Sequence, residues 1–214
     1  MTILQVDTIL TLVLLSVLFS FGSSRLPRLI SVVGFQGVVV SLVPFFVGHA
    51  MTAGGIIFTL ATLAIRGIII PMSIYTAINR VNIKREVEPI IGYHASIIAG
   101  LLLIVAATWI SRQLNIPAIK AYTLLFPTAM ALLVTGMFLL MARRNAIAMV
   151  LGYIMMENGI YLVGTTISVR ARHIVEFGIL LDILAGVMIM AAILQNIKQT
   201  FDDVDTAHLR SLKE

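Results

Sequence analysis

Three ionisable side chains stand inside long apolar runs: Arg66 within Gly54–Tyr75, Glu157 within Ala146–Ile167 and Asp182 within Ile174–Ile197. An Asp, Lys or Arg at the centre of a membrane helix costs about 2.5–3.5 kcal/mol on insertion scales, so such a group usually faces protein or water and has a task there. Low dielectric disfavours the carboxylate ion, which lets a buried Glu or Asp exchange a proton near neutral pH. Arg does not deprotonate. Arg66 would therefore act through its field, tuning a neighbouring carboxyl or holding water. The same groups would also suit sodium or an anion, and a purely structural role, in which buried charges fix helix packing, stays open.

The surroundings sharpen this reading. Asp182 has Gly178 and Gly186 four positions to either side, small residues that let another helix approach the carboxylate. Glu157 lies in the segment MMENGIY; Tyr153, Ile160, Tyr161 and Gly164 share its side, and Asn158 follows it. Two phenols and an amide can carry hydrogen bonds or hold water beside the carboxyl. At about 1.5 Å per residue through a core of about 30 Å, Glu157 lies about 16 Å from one face, with Asp182 about 12 Å and Arg66 about 18 Å from the other. All three are expected in one layer near mid-membrane.

The elements that must position them follow from composition. Of 214 residues, 59% are apolar and 12% charged, and the mean hydropathy is +1.04. A soluble domain carries about 25% charged residues, so this chain cannot cover a water-facing surface. Its apolar runs are continuous and long enough for helices, without the ten-residue alternation of a barrel. The expected fold is an all-α polytopic membrane protein with seven spans: Ile3–Phe21, Leu29–Val47, Gly54–Tyr75, Ile90–Ile110, Ala121–Met141, Ala146–Ile167 and Ile174–Ile197. Asp7 and the lack of a basic leading segment argue against reading the first span as a cleaved signal peptide. Pro44, Pro71 and Pro127 are expected to bend spans two, three and five.

With the N-terminus outside, inner segments hold Arg25, Arg28, Arg80, Lys84, Arg85, Arg143, Arg144, Lys198, Arg210 and Lys213, and outer loops only Arg112, Lys120, Arg170 and Arg172. This asymmetry predicts an N-out, C-in topology in the cytoplasmic (inner) membrane. The basic residues are scattered over short connections, which marks topology and argues against a nucleic-acid partner. The absence of cysteine excludes thiolate-held iron–sulfur clusters and zinc–cysteine sites. His49, His94, His173 and His208 do not form the facing mid-membrane pair that a haem needs. Lys120 is expected to snorkel outward. Asp7 and Glu176, close to the ends of their spans, are expected to be wetted. No cofactor or metal site is expected in this chain.

The stretch GYIMMENGIYLVG, Gly152–Gly164, followed by FGILLDILAGVMIMAAILQNI, Phe177–Ile197, resembles the three-helix proton-channel subunit of respiratory complex I, NuoK, and its relative MrpC of multisubunit sodium/proton antiporters. The resemblance maps the middle-helix Glu of that family onto Glu157, and the acidic residue of its last helix onto Asp182, where this chain has Asp in place of Glu. Arg66 is carried over from no motif. With four helices ahead of this unit, the whole layout resembles hydrogenase-4 component E, a membrane subunit of group 4 NiFe hydrogenases and formate hydrogenlyases. The implied organisation is an N-terminal four-helix region (residues 1–120), a NuoK/MrpC-like three-helix unit (121–197) and a cytoplasmic tail (198–214). The implied function is a non-redox subunit contributing intramembrane carboxylates to a proton or sodium path. Its implied partners are antiporter-like membrane subunits and the membrane anchor of a redox arm, whose own subunits carry the iron–sulfur clusters and the NiFe site. A subunit of a cation/proton antiporter, or an independent transporter using Arg66 and Glu157, remains an alternative reading.

Overall fold

The structure, a computed structural model, describes residues 3–23, 25–46, 53–80, 92–114, 123–143, 145–167 and 186. The described residues form α1 (Ile3–Gly22), α2 (Leu26–Phe46), α3 (Ala53–Ala64), α4 (Ile70–Arg80), α5 (Tyr93–Gln113), α6 (Leu125–Ala142) and α7 (Ala146–Ile167). A wide π-helical turn, Ile65–Ile69, joins α3 to α4, so the two make one continuous span. Five of these spans are long and apolar enough to cross a membrane, and α1 is a shorter apolar helix within its described part. The chain is an all-helical polytopic membrane protein. The seventh expected span, with Asp182 and Gly178, lies outside the described residues, apart from Gly186.

The helix ends follow local chemistry. Asn145 caps α7: its Oδ1 accepts from the N–H of Ile147 at 2.9 Å and of Ala148 at 3.4 Å, the groups an N-cap side chain satisfies. Pro127 was expected to bend its span. It instead sits in the first turn of α6, where its missing N–H has no intrahelical partner to lose. Pro71 behaves differently. It follows the wide turn directly, in which the N–H of Ile70 reaches back to the carbonyl of Ile65. A proline has no N–H to extend this wide hydrogen-bonding pattern by another residue, so the turn ends here.

Burial ranks the helices. In the membrane-spanning window of α7, 72% of residues are buried, against 61% for α2 and α6 and only 22% for α5. Thus α2, α6 and α7 form the centre, and α3–α4 and α5 lie at its edge. The tightest pair is α6 and α7. Gly136 faces the backbone of Met156, Gly152 that of Leu140, and Gly159 that of Ala129 and Leu133; a Cβ at Gly159 would stand 2.5 Å from the Leu133 nitrogen. Small residues permit this backbone-to-backbone approach of antiparallel helices in a bilayer, where hydrophobic driving force is absent.

α1 runs parallel to α6 and is tied to it at both ends. Near its start, Asp7 Oδ2 accepts from the Thr123 hydroxyl at 2.9 Å, and Asp7 Oδ1 from the Leu124 N–H at 3.4 Å, just ahead of α6. The half-buried Asp7 thus places a carboxylate at a helix N-terminus, where it is favoured. Expected to be wetted, it is half-exposed and also holds two elements together. Near the far end of α1, the buried Arg143 donates through Nη2 to the Phe21 carbonyl at 3.1 Å, serving a C-terminal carbonyl that α1 itself leaves unpaired.

Candidate functional site

Two apolar clusters fill the bundle. The first joins Leu26–Val33 side chains of α2 to Ile70, Ile74 and Ile78 of α4 and to Ile147–Ile154 of α7. The second joins α1 to Val39, Val40 and Val43 of α2, to α6, and to Met155, Tyr161 and Leu162 of α7. On α2 the buried Gln36 occupies the interval between the two clusters, and on α7 Glu157 and Asn158, almost fully buried, interrupt the second cluster between Met155 and Tyr161. The π-helical turn delivers Arg66 to this level.

The geometry there is compact. Arg66 Nη2 donates to Glu157 Oε1 at 2.6 Å, and Nη1 donates to Asn158 Oδ1 at 3.0 Å. The guanidinium carbon lies 4.8 Å from the centre of the Tyr161 ring, within range of a cation–π interaction. Arg66 is 2% exposed and Glu157 1%, so the charges meet with little water to screen them. Sequential residues on α7 thus share the two ends of one fork. Asn158 Nδ2 is buried and has no hydrogen-bond partner among the described residues, a donor still to be used. Tyr153, buried one turn before Glu157, lies on the same helix.

Backbone contacts fix the Arg66 turn. A Cβ at Gly37 would stand 2.9 Å from the Arg66 carbonyl oxygen; with none, α2 closes on the backbone of the wide turn. Gly34 makes room for Pro71 in the same way, and Gly67 for Val38. These three glycines let α2 lie against the turn, and the turn aims its side chain at α7.

The structure therefore brings Arg66, Glu157, Asn158 and Tyr161 of the expected set together. Asp182 and Gly178 fall outside the described residues. Gly186 is helical and exposed, with nothing within 4 Å of a Cβ position, so the close helix expected beside it is not among the described residues. Sequence reasoning passed over Gln36. Its Nε2 donates to Ser16 Oγ at 3.0 Å, and Ser16 donates on to the Val13 carbonyl at 2.6 Å. Gln36 Oε1 has no partner among the described residues. An uncharged amide in the middle of an apolar run was the available signal. Among the described residues, no group of three or more His, Cys, Asp or Glu side chains could hold a metal.

Comparison with known proteins bears on these residues directly. Residues 124–214, which include Glu157, Asn158 and Tyr161, match the family model described as NADH-ubiquinone/plastoquinone oxidoreductase chain 4L. The chain is 26% identical over 211 residues to the uncharacterized protein Rv0085 of Mycobacterium tuberculosis, covering 95% of this chain and 93% of that protein. It is also 26% identical over 118 residues to hydrogenase-4 component E of Escherichia coli, 55% of this chain and 54% of the relative. The match thus spans about half the length of that relative. No solved structure matches the chain.

Proposed function

We propose that this chain, similar in its C-terminal part to chain 4L and over half its length to hydrogenase-4 component E, is a non-redox membrane subunit of a complex I-related energy-converting assembly. In this reading the assembly is of the group 4 NiFe hydrogenase or formate hydrogenlyase type and sits N-out, C-in in the cytoplasmic membrane. Its antiporter-like subunits and redox-arm anchor pack against this chain. The chain contributes Glu157, with Arg66 and Asp182, to a path for protons or sodium coupled to electron transfer in its partners. The iron–sulfur and NiFe chemistry belongs to those partners.

One observation carries the proposal: the buried Arg66–Glu157 pair links the wide turn to the helix within the chain 4L match. An ionised Glu157 is held by Arg66 at 2.6 Å. A protonated Glu157 loses most of that attraction, so its side chain can turn to present the proton elsewhere. Asn158 Nδ2, unused among the described residues, can donate to a water on that route. Charge transfer through the layer thus becomes alternate making and breaking of one ion pair. Because the Arg66 guanidinium is engaged by Glu157, Asn158 and Tyr161, the geometry weighs against Arg66 as the binding site of an anionic substrate.

The test is Glu157→Gln in the chromosomal gene, with the complex purified whole. Electron transfer is expected to persist while ion movement in sealed vesicles is lost. Unchanged ion movement per electron would overturn the reading. Purification of the native chain without any antiporter-like or redox partner would overturn its assembly.

A further inference from the structure

A groove of about 470 Å³ runs along the outside of the bundle between α2 and the span formed by α3, the wide turn and α4. Its lining runs from Pro27 and Tyr75 at one end to Val38 and Gly67 at the other. There the two helices meet: a Cβ on Gly67 would stand 2.7 Å from a Val38 methyl. From Pro27 to Val38 the groove is about 16 Å long at 1.5 Å per residue. That is about half of the hydrocarbon core of about 30 Å, or one leaflet. A partner's membrane helix would run on through the second leaflet. The groove ends at the middle, as an acyl chain does.

Its mouth is cationic. Arg25 and Arg28 are exposed at the start of α2. At about 100° per residue, Arg28 stands on the side of α2 that carries Ser31 and Phe35, both of which line the groove. No acidic residue occurs in the sequence between Asp7 and Glu86, so α2, α3 and α4 bring no carboxylate to these arginines. We infer that the groove holds one acyl chain of an anionic phospholipid, with its phosphate at Arg25 and Arg28. The end of that chain lies against Gly67, directly behind Arg66. Occupancy therefore supports the wide turn that presents Arg66 to Glu157, and the lipid acts as a wedge from the membrane side.

The experiment uses the full chain in phosphatidylethanolamine vesicles containing phosphatidylglycerol with a photoreactive group at the end of one acyl chain. Labelled peptides are mapped by mass spectrometry. Labelling is expected at Ile68 and Met72, both exposed along the groove, and unlabelled phosphatidylglycerol is expected to compete where phosphatidylcholine does not. Each basic residue near an anionic surface contributes roughly a fivefold preference, so Arg25→Gln/Arg28→Gln should lower the labelling by about that factor or more. Ser31→Phe, which fills the groove, should remove it. The lipid competition needs no variant and stands even if Ser31→Phe misfolds. Equal labelling by a photoreactive phosphatidylcholine, unchanged in the arginine variant, would reduce the groove to ordinary lipid-facing surface and overturn the proposal. So would protection of Ile68 and Met72 by a protein partner in the native assembly.

Discussion

Remove the Arg66 guanidinium by Arg66→Met, and Glu157 keeps its burial but loses its counter-charge. The size of the loss can be worked from the geometry. Neutral hydrogen bonds between membrane helices average about 0.6 kcal/mol and reach about 1.7 kcal/mol, because the unfolded chain in the bilayer also finds partners. A charge-assisted bond is about twice as strong. At 2.6 Å and 1–2% exposure, the Arg66–Glu157 contact belongs within the doubled range, a coupling of about 1–3 kcal/mol. The assay is a double-mutant cycle of Arg66→Met, Glu157→Gln and both together, with reversible unfolding followed in bicelles. The single variants should each destabilise the chain, and the double variant should cost less than their sum by that coupling. The reason is that deleting both partners leaves no buried charge unopposed. Additive effects within about 0.5 kcal/mol, the tolerance for independent sites, would refute the pair as a contributor and with it the gating role built on it.

Other perturbations have separate readouts. Gly159→Leu forces side-chain atoms into the Ala129–Leu133 backbone of α6; overpacking costs about 1–3 kcal/mol, and more is expected here because backbone must move, measured as lowered thermal stability in detergent. Asp7→Ala removes the carboxylate serving Thr123 and Leu124 and should cost about 0.5–2 kcal/mol, the range for a lost helix cap, with hydrogen exchange rising first at the start of α6. Gln36→Leu combined with Ser16→Ala should be nearly neutral in stability, since both partners of the buried bond are replaced by apolar groups; Ser16→Ala alone should cost more than the pair.

The fold class was legible because membrane helices announce themselves by length and apolarity, and Leu26–Phe46 and Ala146–Ile167 match their expected spans within three residues. Glu157 and Arg66 were legible because a charge in hydrocarbon is costly wherever it lies. Their pairing was legible only as a shared depth. Arg66 and Glu157 are 91 residues apart in the chain, and rotation about a helix axis is set by neighbours, here Gly37 against the wide turn. The wide turn itself was hidden. Pro71 signalled a disturbance, but sequence does not distinguish a bend from a widened turn. The tie that Asp7 makes was hidden because its partners, Thr123 and Leu124, enter only through the parallel packing of α1 on α6.

That parallel packing also sets a schedule for synthesis. The two ties of α1 to α6 join residues 116 and 122 positions apart. At about 5–20 residues per second, α1 leaves the ribosome roughly 6–23 s before Thr123 is made to meet Asp7. For that interval it waits in the bilayer with the Asp7 carboxylate and the Phe21 carbonyl served by water and headgroups at opposite faces. Polar groups at both ends and an apolar middle hold it upright and at the right height while it waits. When α6 arrives between two already fixed levels, its vertical register is dictated by the older helix, and through the glycine contacts α7 and Glu157 inherit the same height.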